Sequence, residues 1–482
     1  MKNKLFAIAV LCMVGVQAIG QTTYTKNGET INTVTTAVPF LRINPDARAG
    51  GMGDVGIATP TDVNGVFANP SKMAFIDKDY GFAVSFSPWL KQLVNDIYLA
   101  SITGYYKVKE KQTVQVSLKY FSLGNISFTD DQGNSLGDFK PNEFSLDAGY
   151  SRRLGKNFAL GASIRFIYSN LTNVGVGGNA TYPGMAGAAD ISWMYTKNFK
   201  KDGAKMSHDF AAGMNISNIG SKITYTRNAK NSDYIPTNLG IGLGYTLNVD
   251  KKNSVGLYFD LNRLLVPTPQ PMMIDSVGPD GLAAGQGRNP NWDNDNGDGF
   301  GDGVADWKQK SPIGGIFTSF GDAPGKLTKN ADGSVTREKG SRSLEELKET
   351  AIAFGLEYMY NKQFGVRFGY YYEPRTKGNR QFLSAGLTVK YSIVGLNFSY
   401  LIPTSIQRNP LDNTLRFSLL FDFAKGGVKA NGESKSGISL VDDTDTPKKK
   451  KNKNVDGEET APEQDGEQPV KKTKKLEPIE SE

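Results

Sequence analysis

Gly51, Gly53 and Gly56 in AGGMGDVGIATPTD have the G-x-G-x-x-G spacing that cradles a pyrophosphate in dinucleotide-binding folds. An apolar run, AVPFLRI, precedes them, and Asp77 and Asp79 follow where such folds place a ribose contact. That chemistry needs a long helix starting at the glycines, its amino terminus facing the phosphates. Pro60 and Asn64-Gly65 interrupt the chain too soon for one, so the βαβ unit cannot be completed. A second chemical candidate is NWDNDNGDGFGDGVADW at 291–307, which crowds Asp293, Asp295, Asn296, Asp298, Asp302 and Asp306. Asn294, Asn296 and Asp298 alternate ahead of Gly299, as in the first half of a calcium loop. Carboxylates this close repel one another unless a cation sits among them. The twelfth position from Asn294 is Ala305 rather than Glu, although Asp306 is adjacent, which fits an EF-hand proper poorly. A short acidic Ca²⁺ loop and a metal-free acidic turn both stay open. The sequence holds one histidine, His208, and no Ser-His-Asp set or Walker loop, which points away from an enzyme.

The elements that must position these residues begin with residues 1–20. Lys2 and Lys4 precede the apolar run Leu5 to Val16, and Ala18-Ile19-Gly20 forms a small-x-small cleavage site. This is a secretory signal, and the mature chain is expected to start near Gln21. Leu11 is too bulky ahead of Cys12 for lipidation, and no cysteine remains after cleavage. The formal charge of +7 is scattered among aromatics with no basic helix or finger motif, so nucleic acid is not an expected partner.

Beyond the signal the dominant pattern is period two. Phe82, Val84 and Phe86 share a face, as do Val114, Val116, Leu118 and Tyr120 opposite Gln115, Ser117 and Lys119. The same alternation sets Val366, Phe368, Tyr370 and Tyr372 against Arg367, Gly369 and Tyr371, and Phe417, Leu419 and Phe421 against Arg416, Ser418 and Asp422. A soluble sandwich alternates too, but these runs are long, with aromatics near their ends and a small or polar opposite face. The fold class expected is therefore all-β: a transmembrane outer-membrane β-barrel of about 14 antiparallel strands. Connections alternate between short turns, such as Gly155-Lys156-Asn157 and Asn361-Lys362, and long loops at Gly124–Pro141, Leu171–Gly184, Asn218–Ile235 and Arg263–Lys348. Short turns face the periplasm in such barrels, and an even strand count puts both chain ends there.

The expected organisation is a signal peptide at 1–20, an amino-terminal plug segment at 21–78, a barrel at 79–423 and a charged periplasmic tail at 424–482. The tail is polar and nearly free of aromatics, a composition that stays disordered. The outer loop at 263–348 is too long for mere connection. Its Ile313, Phe317 and Phe320 form a candidate contact surface for a partner; alternatively, this part of the loop caps the barrel mouth.

The run TTAVPFLRINPDARAGGMGDVGIATPTDVNGVFANPSKMAF resembles the amino-terminal region of the PorV family, outer-membrane proteins of the type IX secretion system within the broader FadL-like barrels. ISNIGSKITYT, YIPTNLGIGLGY and DWKQKSPIGGIFTSFGDAPG carry the resemblance onward, and it covers about 35–423. It implies a fourteen-stranded barrel with a lumenal plug and a role in protein export. Such proteins collect substrates at a large outer-membrane translocon through a C-terminal signal domain and pass them to a cell-surface attachment complex. The main alternative is a FadL-like transporter of fatty acids or other apolar small molecules; a lipid-modifying enzyme would need a catalytic constellation that the single histidine makes improbable. Asn69-Pro70 after Ala68 resembles the A-x-N-P segment of the FadL-like barrels.

Within a lumen, Arg42, Asp46, Arg48 and Asp54 would be costly unless paired, and they are expected to tie the plug to polar strand faces. Exposed loop charges are the alternative. Gly51, Gly53 and Gly56 are better explained by backbone packed where no side chain would fit. The bilayer is then the surrounding solvent.

Overall fold

The structure is a computed structural model and describes residues 23–24, 30–89, 96–129, 132, 135–171, 181–200, 203–227, 232–277, 282–290, 292–293, 304–404 and 414–424. Alternating apolar and polar residues make each long run a strand with two unlike faces, and these strands pair in sequence order. They are β1 Tyr80–Pro88, β2 Ile97–Lys109, β3 Gln112–Leu123, β4 Asn142–Arg153, β5 Phe158–Asn170, β6 Gly184–Phe199 and β7 Ser207–Gly220. The second half is β8 Asn238–Asn248, β9 Asn253–Leu264, β10 Thr350–Tyr360, β11 Phe364–Tyr372, β12 Gln381–Tyr391, β13 Val394–Pro403 and β14 Leu415–Phe423. All fourteen form one closed antiparallel barrel. β14 returns to β1 with Phe417 opposite Phe86 and Phe423 opposite Tyr80. Closure leaves no strand edge, so backbone groups are satisfied inside the sheet, as a bilayer demands. Aromatic pairs cover the seam: Phe82 stacks on Phe421 at 4.6 Å and Tyr80 on Phe423 at 5.0 Å.

The two faces divide as the period predicts. Phe82, Val84, Phe86, Val116, Leu118, Val366, Phe368 and Phe417 are exposed on the outer wall. Their neighbours Ser85, Ser117, Lys119, Arg367, Arg416 and Ser418 are buried inside. An apolar exterior over a polar interior is the pattern of a lipid-facing barrel rather than a soluble one. A register shift between Ala189 and Ile191 in β6 accompanies Asp190, whose carboxylate accepts from Arg165 Nη2 at 3.0 Å and Asn218 N at 2.7 Å.

One end of the barrel carries the short turns, and the barrel's own first and last residues meet there: Asp79 N donates to Phe423 O at 2.9 Å. The expectation that both chain ends share this side concerns residues 1–22 and 425–482, which lie outside the described residues; the described amino-terminal segment is fastened at the other end. Asn32 N donates to Thr376 O and Ala37 N to Tyr234 O, in the β11–β12 and β7–β8 loops at the opposite end. The chain therefore reaches β1 by running lengthwise through the lumen. Strand parity counts only wall crossings, and this extra crossing is not a strand.

The connection between β9 and β10 is ordered where described. It holds a small four-stranded sheet (Met273–Val277, Ala283–Arg288, Leu327–Lys329 and Val335–Arg337) and short helices at Asp306–Gln309, Pro312–Thr318 and Ser341–Lys348. The carboxy-terminal segment from 425 onward lies outside the described residues, and so does the disorder expected of it.

Candidate functional site

The lumenal segment is built from tight turns because its sequence offers caps and glycines instead of long periodic runs. Asp46 caps the single helical turn α1 (Ala47–Gly50), accepting from Arg48 N at 2.9 Å and Ala49 N at 3.1 Å. The chain then turns through Gly51 and Gly53. A Cβ on Gly51 would lie 2.9 Å from Gly386 Cα of β12, and one on Gly53 would lie 2.7 Å from Tyr370 O of β11. Gly53 also has φ +69°, which side chains disfavour. No helix starts at these glycines, and Gly56 packs beside Ala68. Asn69 caps the 3-10 turn Pro70–Phe75, accepting from Ser71 N, while its Nδ2 donates to Ile57 O and to Trp193 O of β6, each at 3.1 Å. Pro70, with no N–H, sits at the first position of the turn, where none is needed.

Charge fastens this segment to the wall. Arg48 forks onto Glu357 of β10, with Nε to Oε1 at 3.0 Å and Nη2 to Oε2 at 2.8 Å. Its Nη1 donates to Asp62 Oδ2 at 3.0 Å and to Pro60 O at 2.7 Å. Glu357 also accepts from Arg367 Nε of β11 at 2.7 Å. Asp54 pairs with Arg416 of β14. Arg42 reaches Glu373, just past β11, at 3.4 Å. Asp46 is the exception: besides capping its own turn it accepts from Asn64 Nδ2 at 3.0 Å, so its bonds stay within the segment. Backbone is held too. Asp260 Oδ2 of β9 takes Gly56 N at 2.8 Å and Ile57 N at 3.0 Å, Ser384 Oγ takes Gly53 N at 2.8 Å, and Ser418 Oγ takes Ala47 N at 3.0 Å.

Several of these fasteners were not singled out from sequence: Asp62, Lys72, Lys119, Asp260 and Glu357. Lys72 Nζ donates to Gly56 O at 2.6 Å and Thr59 Oγ1 at 2.7 Å; Lys119 Nζ donates to Ile43 O at 3.0 Å. For Lys119, Asp260 and Glu357 the available signal was a charge on the inward face of a strand, which must find a partner in the lumen. Two cavities flank the segment, one beside Ala58 and Phe75 of about 20 Å³ and one beside Arg48 and Lys72 of about 10 Å³. That is room for a water molecule, not an acyl chain.

At the opposite rim the long loop is tied down around Arg263, which pairs with Glu346 and with Glu349 at 3.0 Å. Tyr234 Oη donates to Lys310 O at 2.6 Å, and Gly315 packs on Pro267. Burial pushes the Glu349 carboxyl up despite Lys377 beside it. Burial would raise Glu373 as well, but Arg380 and Arg42 hold it below the usual carboxylate range. Ile313, Phe317 and Phe320 all stay exposed, Phe317 at 75%, although the Arg263 guanidinium lies over the Phe320 ring. In the acidic stretch, Asp295, Asn296, Asp298 and Asp302 lie outside the described residues. Asp293 and Asp306 flank it, with Asp306 N donating to Trp292 O at 3.2 Å. Among the described residues no group of three or more metal-ligating side chains occurs. His208 opens β7, with Nδ1 2.6 Å from Tyr245 Oη.

A family model described as type IX secretion system protein PorV matches residues 25–271, just over half of the chain. No curated protein matches it. Solved structures matched include a FadL homologue from Pseudomonas aeruginosa, 11% identical over 82% of this chain and 100% of its own, with TM-score 0.36. The toluene transporter TodX of Pseudomonas putida is 9% identical over 78% and 98%, with TM-score 0.39. The toluene transporter TbuX of Ralstonia pickettii is 10% identical over 79% and 98%, with TM-score 0.38.

Proposed function

The chain belongs to the PorV family and is an outer-membrane component of the type IX secretion system, and on that premise we propose that it is a cargo shuttle. It takes exported proteins at the large translocon by their C-terminal signal domain and delivers them to the cell-surface attachment complex. The short-turn rim faces the periplasm, and cargo is met at the long-loop rim. The lumenal segment acts as a plug, so cargo is handled on the outside of the barrel and does not pass through it.

The observation that supports this reading is the ordered outer platform. A loop pinned by Arg263 and Tyr234 presents Ile313 and Phe317 to solvent, and large apolar side chains held out on a braced surface are a contact site in waiting. The seated segment argues against the runner-up, transport of fatty acids or other apolar molecules, since the cavities beside it are water-sized. The test is co-purification from actively secreting cells. The tagged chain should bring down proteins bearing the signal domain, and Phe317→Ser with Ile313→Ser should reduce the yield while the barrel keeps its heat-modifiable mobility. Recovery of no such protein by the unaltered chain would sink the shuttle. A fatty acid recovered in fixed ratio would favour the runner-up.

A further inference from the structure

Five of the six short turns carry an exposed lysine: Lys111 after β2, Lys156 after β4, Lys200 and Lys205 after β6, Lys251 and Lys252 after β8, and Lys362 after β10. On those turns, among the described residues, the exposed carboxylates are Glu110 and Asp250. Asp250 is already occupied by its own turn, accepting from Lys252 N and Asn253 N at 2.7 Å each. Directly inward along the wall from these turns, Tyr106, Tyr150, Phe199, Tyr245, Tyr358 and Phe364 are exposed on the outer face. Aromatics at strand ends mark the depth of the membrane–water interface. The lysines one step beyond them therefore stand at the level of lipid headgroups.

We propose that the short-turn rim is a collar that binds the phosphates of anionic phospholipids in the leaflet it meets. The shape of the charge chooses lipid over protein. The cations follow the turns around the closed barrel and do not gather on one side, whereas a globular partner covers a single arc. A ring of annular lipids meets every turn at once. Lysine is a flexible point charge suited to mobile headgroups, and each cation held near an anionic surface adds to the attraction. The collar fixes the depth and tilt at which the barrel sits, and is independent of cargo handling.

The experiment uses the full chain in vesicles of mixed phosphatidylglycerol and phosphatidylcholine, followed by native mass spectrometry of the lipids it retains. The unaltered chain should hold phosphatidylglycerol in preference to phosphatidylcholine by roughly tenfold, falling in high salt. Substituting Lys111, Lys156, Lys200, Lys205, Lys251, Lys252 and Lys362 by Gln should bring the ratio near one; substituting the same seven by Arg should keep it. Heat-modifiable mobility reports whether each variant is folded. If the sevenfold Gln variant fails that check, Lys251→Gln with Lys252→Gln should give a partial loss. Equal retention of both lipids by the unaltered chain, or an unchanged preference in the folded Gln variants, overturns the proposal. So does an indifferent chain that instead holds an acidic periplasmic protein, which would assign the collar to a protein partner.

Discussion

Arg48 offers the sharpest test of the lumenal segment. Its guanidinium makes three bonds to carboxylates, two to Glu357 and one to Asp62, and all three side chains are less than a tenth exposed. Removing one partner of a buried pair costs about 3–5 kcal/mol, because a charge is left uncompensated. Arg48→Met sits near the lower end, about 3 kcal/mol, since Glu357 keeps Arg367 at 2.7 Å and only Asp62 loses the cation it is hydrogen-bonded to. Arg48→Glu is worse: it sets a third carboxylate among the two, adding ~4 kcal/mol per like-charged neighbour at 4 Å before relaxation. A loss of about 3 kcal/mol raises the frequency of an unseated segment by roughly a hundredfold. Limited proteolysis of residues 32–78 in vesicles, alongside single-barrel ion conductance, reads that frequency. Heat-modifiable mobility reads the wall separately. We expect faster cleavage and brief openings for Met, a larger effect for Glu, and an intact wall for Met. Cleavage and conductance identical to the unaltered chain in both variants would refute the view that this pair seats the segment.

Gly53→Ala places a methyl 2.7 Å from Tyr370 O at φ +69°, which together should destabilise the seated segment by about 2–4 kcal/mol; the same proteolysis assay detects it, and an unaffected variant would mean the segment shifts freely. Glu373 has a depressed folded pKa, so its stabilising pairing with Arg42 and Arg380 is complete above the ordinary carboxyl range and is lost as pH falls through the folded value. An acid titration of the unfolding temperature should therefore flatten in Glu373→Gln, and an unchanged profile counts against the pairing. We propose that the acidic stretch around Asp298 takes Ca²⁺. Calorimetric titration of the full chain should show heat that Asp298→Asn with Asp302→Asn reduces, and no heat at millimolar calcium would leave an acidic turn.

The wall was legible because its rule is local. Phe417, Leu419 and Phe421 against Arg416 and Ser418 declare a strand with a lipid face and a lumenal face without reference to any other strand. Gly155-Lys156-Asn157 and Asn361-Lys362 mark turns equally well. The lumenal contacts are not local. Arg48 and Glu357 are 309 residues apart, and nothing in either neighbourhood selects the other. An inward charge announces only that some partner exists. The path of 32–78 was also hidden: no periodicity distinguishes a segment running up a lumen from one folded at its mouth, and strand parity says nothing of where Asn32 lies. Gly369 and Gly386 pack directly against Gly53 and Gly51 of the segment, a match visible only once both strands are placed.

A chain segment running through a closed ring also constrains the order of events. The segment bonds to β6, β9, β10, β12 and β14 at once, and Asn32 is fastened beyond the far rim. Once Phe423 lies opposite Tyr80, only the chain's free end could be drawn through, one residue at a time. A segment that lies down among the nascent strands before the last seam joins needs no such threading, and the finished barrel then keeps it as a knot keeps its core. A bulky domain fused ahead of Asn32 would stay beyond the far rim on that route and leave the seam unhindered, whereas it would block threading into a finished ring.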